Sequence, residues 1–188
     1  MNDGQNLFDA ATSTFSSYEW RMDETAAELL RRGTIEPMIV VGVDNAGRRD
    51  RPLEYLPYPD EFLRPPVPRP RGLEYPRFLV DEVMPLIRRI YRTRPGPEAT
   101  GVGGSSYGGV AALVAAMKRP DVFGRLLLES PSLYISDERL LRDAAAVRRW
   151  PRCVYVAIGT KETGDAAGRG RRPAGRTIRL DPAESRPG

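Results

Sequence analysis

Short runs of aliphatic and β-branched residues alternate along this chain with segments of helical periodicity, and that alternation restricts the folds open to it. The apolar runs are PMIVVGV at residues 37–43, RLLLESPSL at 125–133 and CVYVAIG at 153–159. A continuous apolar run marks a strand covered on both faces, and parallel neighbours of that kind need helical crossovers between them. The spacing predicts a helix from Asp23, as the cap, through Ala26, Leu29 and Leu30, with Gly33 as its stop. It predicts a second helix over 75–92, with Leu79, Val83, Leu86 or Ile87, and Ile90 on one stripe, Pro76 in the first turn and Pro85 as a kink. A glycine-rich strand at 100–103, a helix at 108–118 and a helix after Ile135, with Asp137 near its start, complete the series. The expected class is α/β, a mostly parallel sheet with helices on both faces.

Residues 51–72 interrupt the pattern. Seven prolines fall in these 22 positions, so the segment is expected to be neither a helix nor a central strand. The interleaved Tyr55, Tyr58 and Phe62 favour an ordered loop that packs on the body or roofs a pocket, rather than a linker. In that second role the three rings would be substrate contacts, stacking on an aromatic or sugar group of a bound molecule.

With 188 residues and a 40% hydrophobic composition, the chain can bury one real core but hardly two. Its net charge of +4 resides in the last 23 residues, where six arginines face Asp181 and Glu184, which leaves residues 1–165 formally neutral. A nucleic-acid-binding body would show a basic face instead, so no nucleic-acid partner is expected. Residues 166–188 are mostly Arg, Gly, Ala and Pro and read as a disordered tail beside a domain at 1–165. A basic interaction arm is the minor alternative. One cysteine and no histidine exclude a disulfide within the chain and make a transition-metal centre improbable, so neither metal nor cofactor is expected. Residues 1–15 lack a cationic start and an apolar core, and no run approaches the ~20 apolar residues of a membrane span. As written, the chain reads as cytoplasmic with no membrane partner; its oligomeric state has no signal in the sequence.

Chemistry enters at Gly104-Ser105-Ser106-Tyr107-Gly108. This string fits the G-x-S-x-G elbow, in which a sharp turn between strand and helix lifts a serine above the sheet. Ser106 is the candidate nucleophile, and the Tyr107 N–H, at the start of the new helix, is a candidate oxyanion donor. Ser105 competes but sits one place early. The bland alternative is a Gly-Ser turn with structural duties alone. A serine hydroxyl needs a base as it attacks, and this chain has no histidine.

The strings NDGQNLFD, WRMDET, IEPMIVVGVDN, EYLPYPDEF, YPRFLVDEVMPLIRRIYRT, GGSSYGGVAAL and RPDVFGRLLLESPSLY occur in that order between residues 2 and 134. Together they resemble the putative-esterase branch of the α/β-hydrolases, which includes enterochelin esterase-like, feruloyl esterase-like and S-formylglutathione hydrolase-like enzymes. The resemblance implies an α/β-hydrolase fold acting on a small-molecule ester through an acyl-enzyme at Ser106. It also implies backbone oxyanion donors at Tyr107 and near Gly4 and Gln5. The string Gly159-Thr160-Lys161-Glu162 matches the family's setting for the catalytic acid, which makes Glu162 the acid and Asp165 the reserve; a solvated loop at a strand end is the alternative for both.

Two departures accompany it. Family members carry strands ahead of the string that begins here at Asn2, and a histidine-bearing segment where this chain has its Arg-rich tail. The sheet is therefore expected to be incomplete at both ends. The excess of arginine over lysine suggests a GC-rich coding sequence and a frameshift near Ala166. A catalytically dead binding protein that keeps the hydrolase pocket is the alternative function.

Overall fold

A computed structural model describing residues 1–14 and 17–159 places three parallel strands side by side, β1 (Gly101–Ser105), β2 (Arg125–Glu129) and β3 (Cys153–Ala157). Gly101 lies opposite Arg125, which lies opposite Cys153, and the register runs unbroken to Ser105, Glu129 and Ala157. The helices, in chain order, are α1 (Met22–Arg31), α2 (Arg51–Tyr55), α3 (Tyr75–Phe78), α4 (Met84–Ile90), α5 (Tyr107–Lys118) and α6 (Arg139–Ala145). The parallel α/β arrangement expected from the alternation is present.

α5 is the crossover from β1 to β2, and its composition explains its position. Every residue from Gly108 to Ala116 is buried, which a helix achieves only when it is apolar on all sides and small enough for close approach to the sheet. Val110 and Val114 meet Leu126, Leu128, Phe123 and Leu140 in one core. Full burial of a side chain of the Val or Leu class contributes roughly 1.5–3 kcal/mol each.

The run at 37–43 does not form the strand expected of it. Only Val43 is bridged, in parallel, to Asn2. Val43 N–H donates to Met1 O at 2.9 Å, Gly4 N–H donates to Val43 O at 2.9 Å, and the Met1 amino group donates to Val41 O at 2.8 Å. On its other side Asn2 N–H donates to Gly103 O of β1, also at 2.9 Å. Met1–Gly4 thus lie as a ribbon between 41–43 and β1. Beyond it the segment has no sheet neighbour among the described residues, and Met38 is 57% and Ile39 48% exposed.

Three local expectations are also corrected. The first helix begins at Met22 with Arg21 in the cap position; Asp23 and Glu24 fall in its first turn, where their charge complements the N-terminal end of the helix. Residues 51–72 open with α2, because Pro52 stands in the first turn, where its missing N–H leaves nothing unpaired. The helix expected over 75–92 is divided: a π-helical turn, Leu79–Val83, separates α3 from α4 and places Pro85 in the first turn of α4.

After α2, whose last residue Tyr55 is fully buried, the proline-rich segment is an ordered loop packed on the body, with Leu56 fully buried and Val67 buried. Its two ends close on each other, Arg71 N–H donating to Leu53 O at 2.6 Å and Gly72 N–H to Leu56 O at 2.9 Å. A Cβ at Gly72 would stand 2.4 Å from Tyr55 O and 2.5 Å from Leu56 O, far inside contact distance. Replacing Gly72 with Ala is therefore expected to lower stability by about 1–3 kcal/mol, read as a lower urea midpoint at unchanged slope.

Candidate active site

β1 ends at Ser105, α5 begins at Tyr107, and Ser106 between them has φ 54° and ψ −123°. For a non-glycine residue this backbone costs roughly 1–3 kcal/mol and persists only where surrounding bonds fix it. Those bonds are present: Ser106 N–H donates to Glu129 O at 3.1 Å, and Ser106 O accepts the Val110 N–H at 3.1 Å. The turn also requires the bare backbone of Gly104, since a Cβ there would lie 2.5 Å from Gly108 C and O. Ser105 completes the β1 ladder opposite Glu129.

Ser106 opens on a small cleft whose walls include Asn2, Asp3, Leu7, Trp20 and Arg51. Its Oγ lies 3.1 Å from the Oγ of Ser132. The first N–H groups of α5 have no intrahelical acceptor, and that of Tyr107 adjoins the serine.

A charged network holds the cleft wall. Arg51 grips Asp3 with two bonds, Nε to Oδ1 at 2.7 Å and Nη2 to Oδ2 at 2.7 Å, and Nη2 also reaches Ser105 O at 3.4 Å. Asn45 Nδ2 donates to Asp3 Oδ1 at 2.7 Å, and the Asp3 N–H donates to the Tyr55 hydroxyl at 3.2 Å. The guanidinium carbon sits 5.5 Å from the centre of the Tyr55 ring and 5.3 Å from that of Tyr107. Burial opposes the charge of Arg51, but the hydrogen bonds and charge of Asp3 outweigh it and hold the guanidinium above its ordinary pKa. Asn2, also buried, donates to Gly108 O at 2.7 Å and accepts from the Tyr75 hydroxyl at 3.0 Å. The ribbon Met1–Gly4 is thereby fastened to the start of α5, to α2 and to α3.

The sequence-derived candidates are distributed unevenly over this geometry. Ser106 and the Tyr107 N–H stand together at the turn. The Gly4 N–H is taken by Val43 O, while Gln5 is fixed beside it, its Oε1 accepting from Asn45 N–H at 3.2 Å. Tyr55 is fully buried. Tyr58 donates to Asp143 on α6 and carries Arg139 over its ring at 4.0 Å. Phe62 is 72% exposed. None of these three rings lines the cleft around Ser106; the loop contributes Arg51 instead. Glu162 and Asp165 lie outside the described residues, as does the 166–188 tail. Sequence reasoning missed Asp3, Arg51, Asn45 and Ser132, although Asp3, Asn45 and Ser132 lie within strings that carried the resemblance. Among the described residues no group of three or more His, Cys, Asp or Glu is placed to hold a metal ion, and no helix is long and apolar enough to cross a membrane.

A serine at a left-handed strand-to-helix turn over a parallel sheet, facing an open cleft, defines the α/β-hydrolase class. The chain belongs to the family described as putative esterase, whose family model matches residues 2–172. Over 143 residues it is 25% identical to the protein YjcH of Bacillus subtilis, a match covering 76% of this chain and 55% of that protein. Over 99 residues it is 38% identical to the iron(III) enterobactin esterase of Dickeya dadantii, covering 44% of this chain and 23% of that one. The fold is shared with the siderophore hydrolase EstA of Aspergillus nidulans, at 23% identity and a TM-score of 0.64, over 91% of this chain and 59% of that structure. This chain spans about half the length of the first curated relatives it matches.

Two outcomes follow from this geometry. Replacing Arg51 with Met strands the Asp3 carboxylate in a nearly buried position, which costs about 3 kcal/mol in stability; adding Asp3→Asn recovers part of that loss in a double-mutant cycle read by chemical unfolding. Burial, with the bond to Asp143 adding to it, pushes the Tyr58 hydroxyl up to about 12. The folded chain then holds this proton more tightly than the unfolded chain, so the stabilisation is intact below about pH 10. It is lost as pH rises toward 12: the stability difference between the natural chain and Tyr58→Phe is expected to shrink across that interval.

Proposed function

We propose that this chain is a serine carboxylic-ester hydrolase acting through an acyl-enzyme at Ser106. The observation that carries this reading is the strained Ser106 turn at the head of β1, with Ser106 lining the cleft and the start of α5, whose first N–H groups have no intrahelical acceptor, directly after it. Ser106 Oγ attacks the ester carbonyl carbon, the carbonyl oxygen takes on negative charge, and the Tyr107 N–H, with a backbone donor near Gln5, stabilises it. The alcohol departs with a proton, water attacks the acyl-enzyme, and the acid is released as Ser106 recovers its proton. Glu162, or Asp165 in its place, is the proposed acid that would orient a base. The substrate class is a small-molecule carboxylic ester, in keeping with the relatives named as an enterobactin esterase and a siderophore hydrolase. No nucleic-acid or membrane partner is part of this proposal.

A second reading, a binding protein that retains the hydrolase cleft, is favoured by one specific observation: the 188 residues include no histidine. Loss of one member of a Ser-His-acid triad costs on the order of 10⁴ to 10⁶ in rate and leaves a residue of catalysis from the oxyanion donors. Hydrolysis of p-nitrophenyl acetate by the chain and by its Ser106→Ala variant separates the two. The hydrolase reading expects the natural chain to be faster; equal rates would leave the binding-protein reading standing.

A further inference from the structure

We propose that Ser132 is a positioning residue for Ser106, a role that rests on reading Ser106 as the nucleophile. Two groups of Ser132 engage the same partner. Its N–H donates to Ser106 O at 3.3 Å, and its Oγ lies 3.1 Å from Ser106 Oγ, a pair in which either hydroxyl can donate. The contact spans 26 positions of sequence and joins the turn after β2 to the turn after β1.

Ser132 has little choice of partner. It is 6% exposed, and a buried hydroxyl without a hydrogen bond loses the free energy of its hydration. Its backbone is fixed on both sides. Ser130 has φ 42°, and its N–H donates to Ala157 O at 2.7 Å. Pro131 lies against α5 at Gly109, where a Cβ would stand 3.1 Å from the proline Cβ. Leu133 N–H closes a tight turn onto Pro131 O at 2.8 Å. Further along, Asp60 of the proline-rich loop accepts the Ser136 N–H at 2.7 Å through Oδ2 and the Phe62 and Leu63 N–H groups through Oδ1. The Ser132 hydroxyl is thus presented by a rigid turn to a side chain that otherwise has three staggered rotamers.

A nucleophilic hydroxyl must rest in the rotamer from which it can attack, and each competing rotamer lowers its effective concentration at the substrate. One hydrogen bond between neutral hydroxyls is enough to bias χ1 of Ser106 and leaves its proton able to turn toward a base. The expected effect of losing it is a decrease of about 3- to 10-fold in reactivity, the range of one net hydrogen bond. The fold should be unaffected.

The test compares the natural chain with Ser132→Ala and Ser132→Thr, using the second-order rate of labelling by a small alkyl fluorophosphonate together with the three-bond couplings of the Ser106 Hβ protons. Labelling forms the Ser106 Oγ–P bond, breaks the P–F and Oγ–H bonds, and releases fluoride and the hydroxyl proton to solvent. The proposal expects one Ser106 rotamer in the natural chain, averaged couplings and about 3- to 10-fold slower labelling in Ser132→Ala, and recovery of both in Ser132→Thr. Unchanged couplings and rate in Ser132→Ala, or equal losses in both variants, would overturn it while leaving Ser106 as nucleophile. A natural chain that is not labelled would overturn that underlying reading itself.

Discussion

The conformation of Ser106 is the constraint from which the rest of the structure follows. A non-glycine residue at φ 54° and ψ −123° stays there only if everything around it is committed. β1 must end one residue earlier and α5 begin one residue later, and Gly104 must lie against the backbone of Gly108 with no side chain between them. α5 must then run over the sheet at short range, which its Gly, Ala and Val residues permit. The bonds from Glu129 O, Val110 N–H and Ser132 N–H to this one residue tie β2, α5 and the following turn to the same point. The strain is local, and the packing that holds it extends across the core.

A second tie brings the chain's early segments to that point. The Asp3–Arg51 pair is almost buried, with side-chain exposures of 9% and 15%, and it is doubly hydrogen-bonded, the geometry in which guanidinium and carboxylate repay most of their desolvation. It joins the N-terminal ribbon to α2, the first turn of the proline-rich loop. Through the Tyr55 and Tyr107 rings that flank Arg51 it also reaches the core and the serine turn. A loop with seven prolines would otherwise owe its position to apolar contacts alone, which do not fix orientation.

Much of this was legible in the sequence because it depends on local chemistry. Continuous apolar runs gave β2 and β3, small apolar residues gave α5, and the G-x-S-x-G spacing located the turn, since Gly104 and Gly108 are needed wherever two backbones must approach so closely. The order of motifs gave the family. What stayed hidden depends on pairing at a distance. Residues 37–43 have the composition of a central strand, but a strand forms only where another main chain runs alongside, and among the described residues the one bridge in this segment is at Val43. Arg51 and Asn45 are ordinary polar residues in turn-rich stretches and Ser132 one near the end of an apolar run, 42 to 48 positions from Asp3 or 26 from Ser106. No periodicity marks them. The aromatic residues of the loop were conspicuous, yet Tyr55 serves the core and Tyr58 is bonded to α6.

The central claim is that this turn presents a reactive alcohol to a cleft whose main-chain amides can hold negative charge on oxygen. A crystal structure of the chain after exposure to a small phosphonate ester tests it most directly. The account predicts density continuous from Ser106 Oγ to phosphorus, with a phosphonyl oxygen within hydrogen-bond distance of the Tyr107 N–H. An unmodified Ser106, or an oxygen turned away from the start of α5, would contradict it.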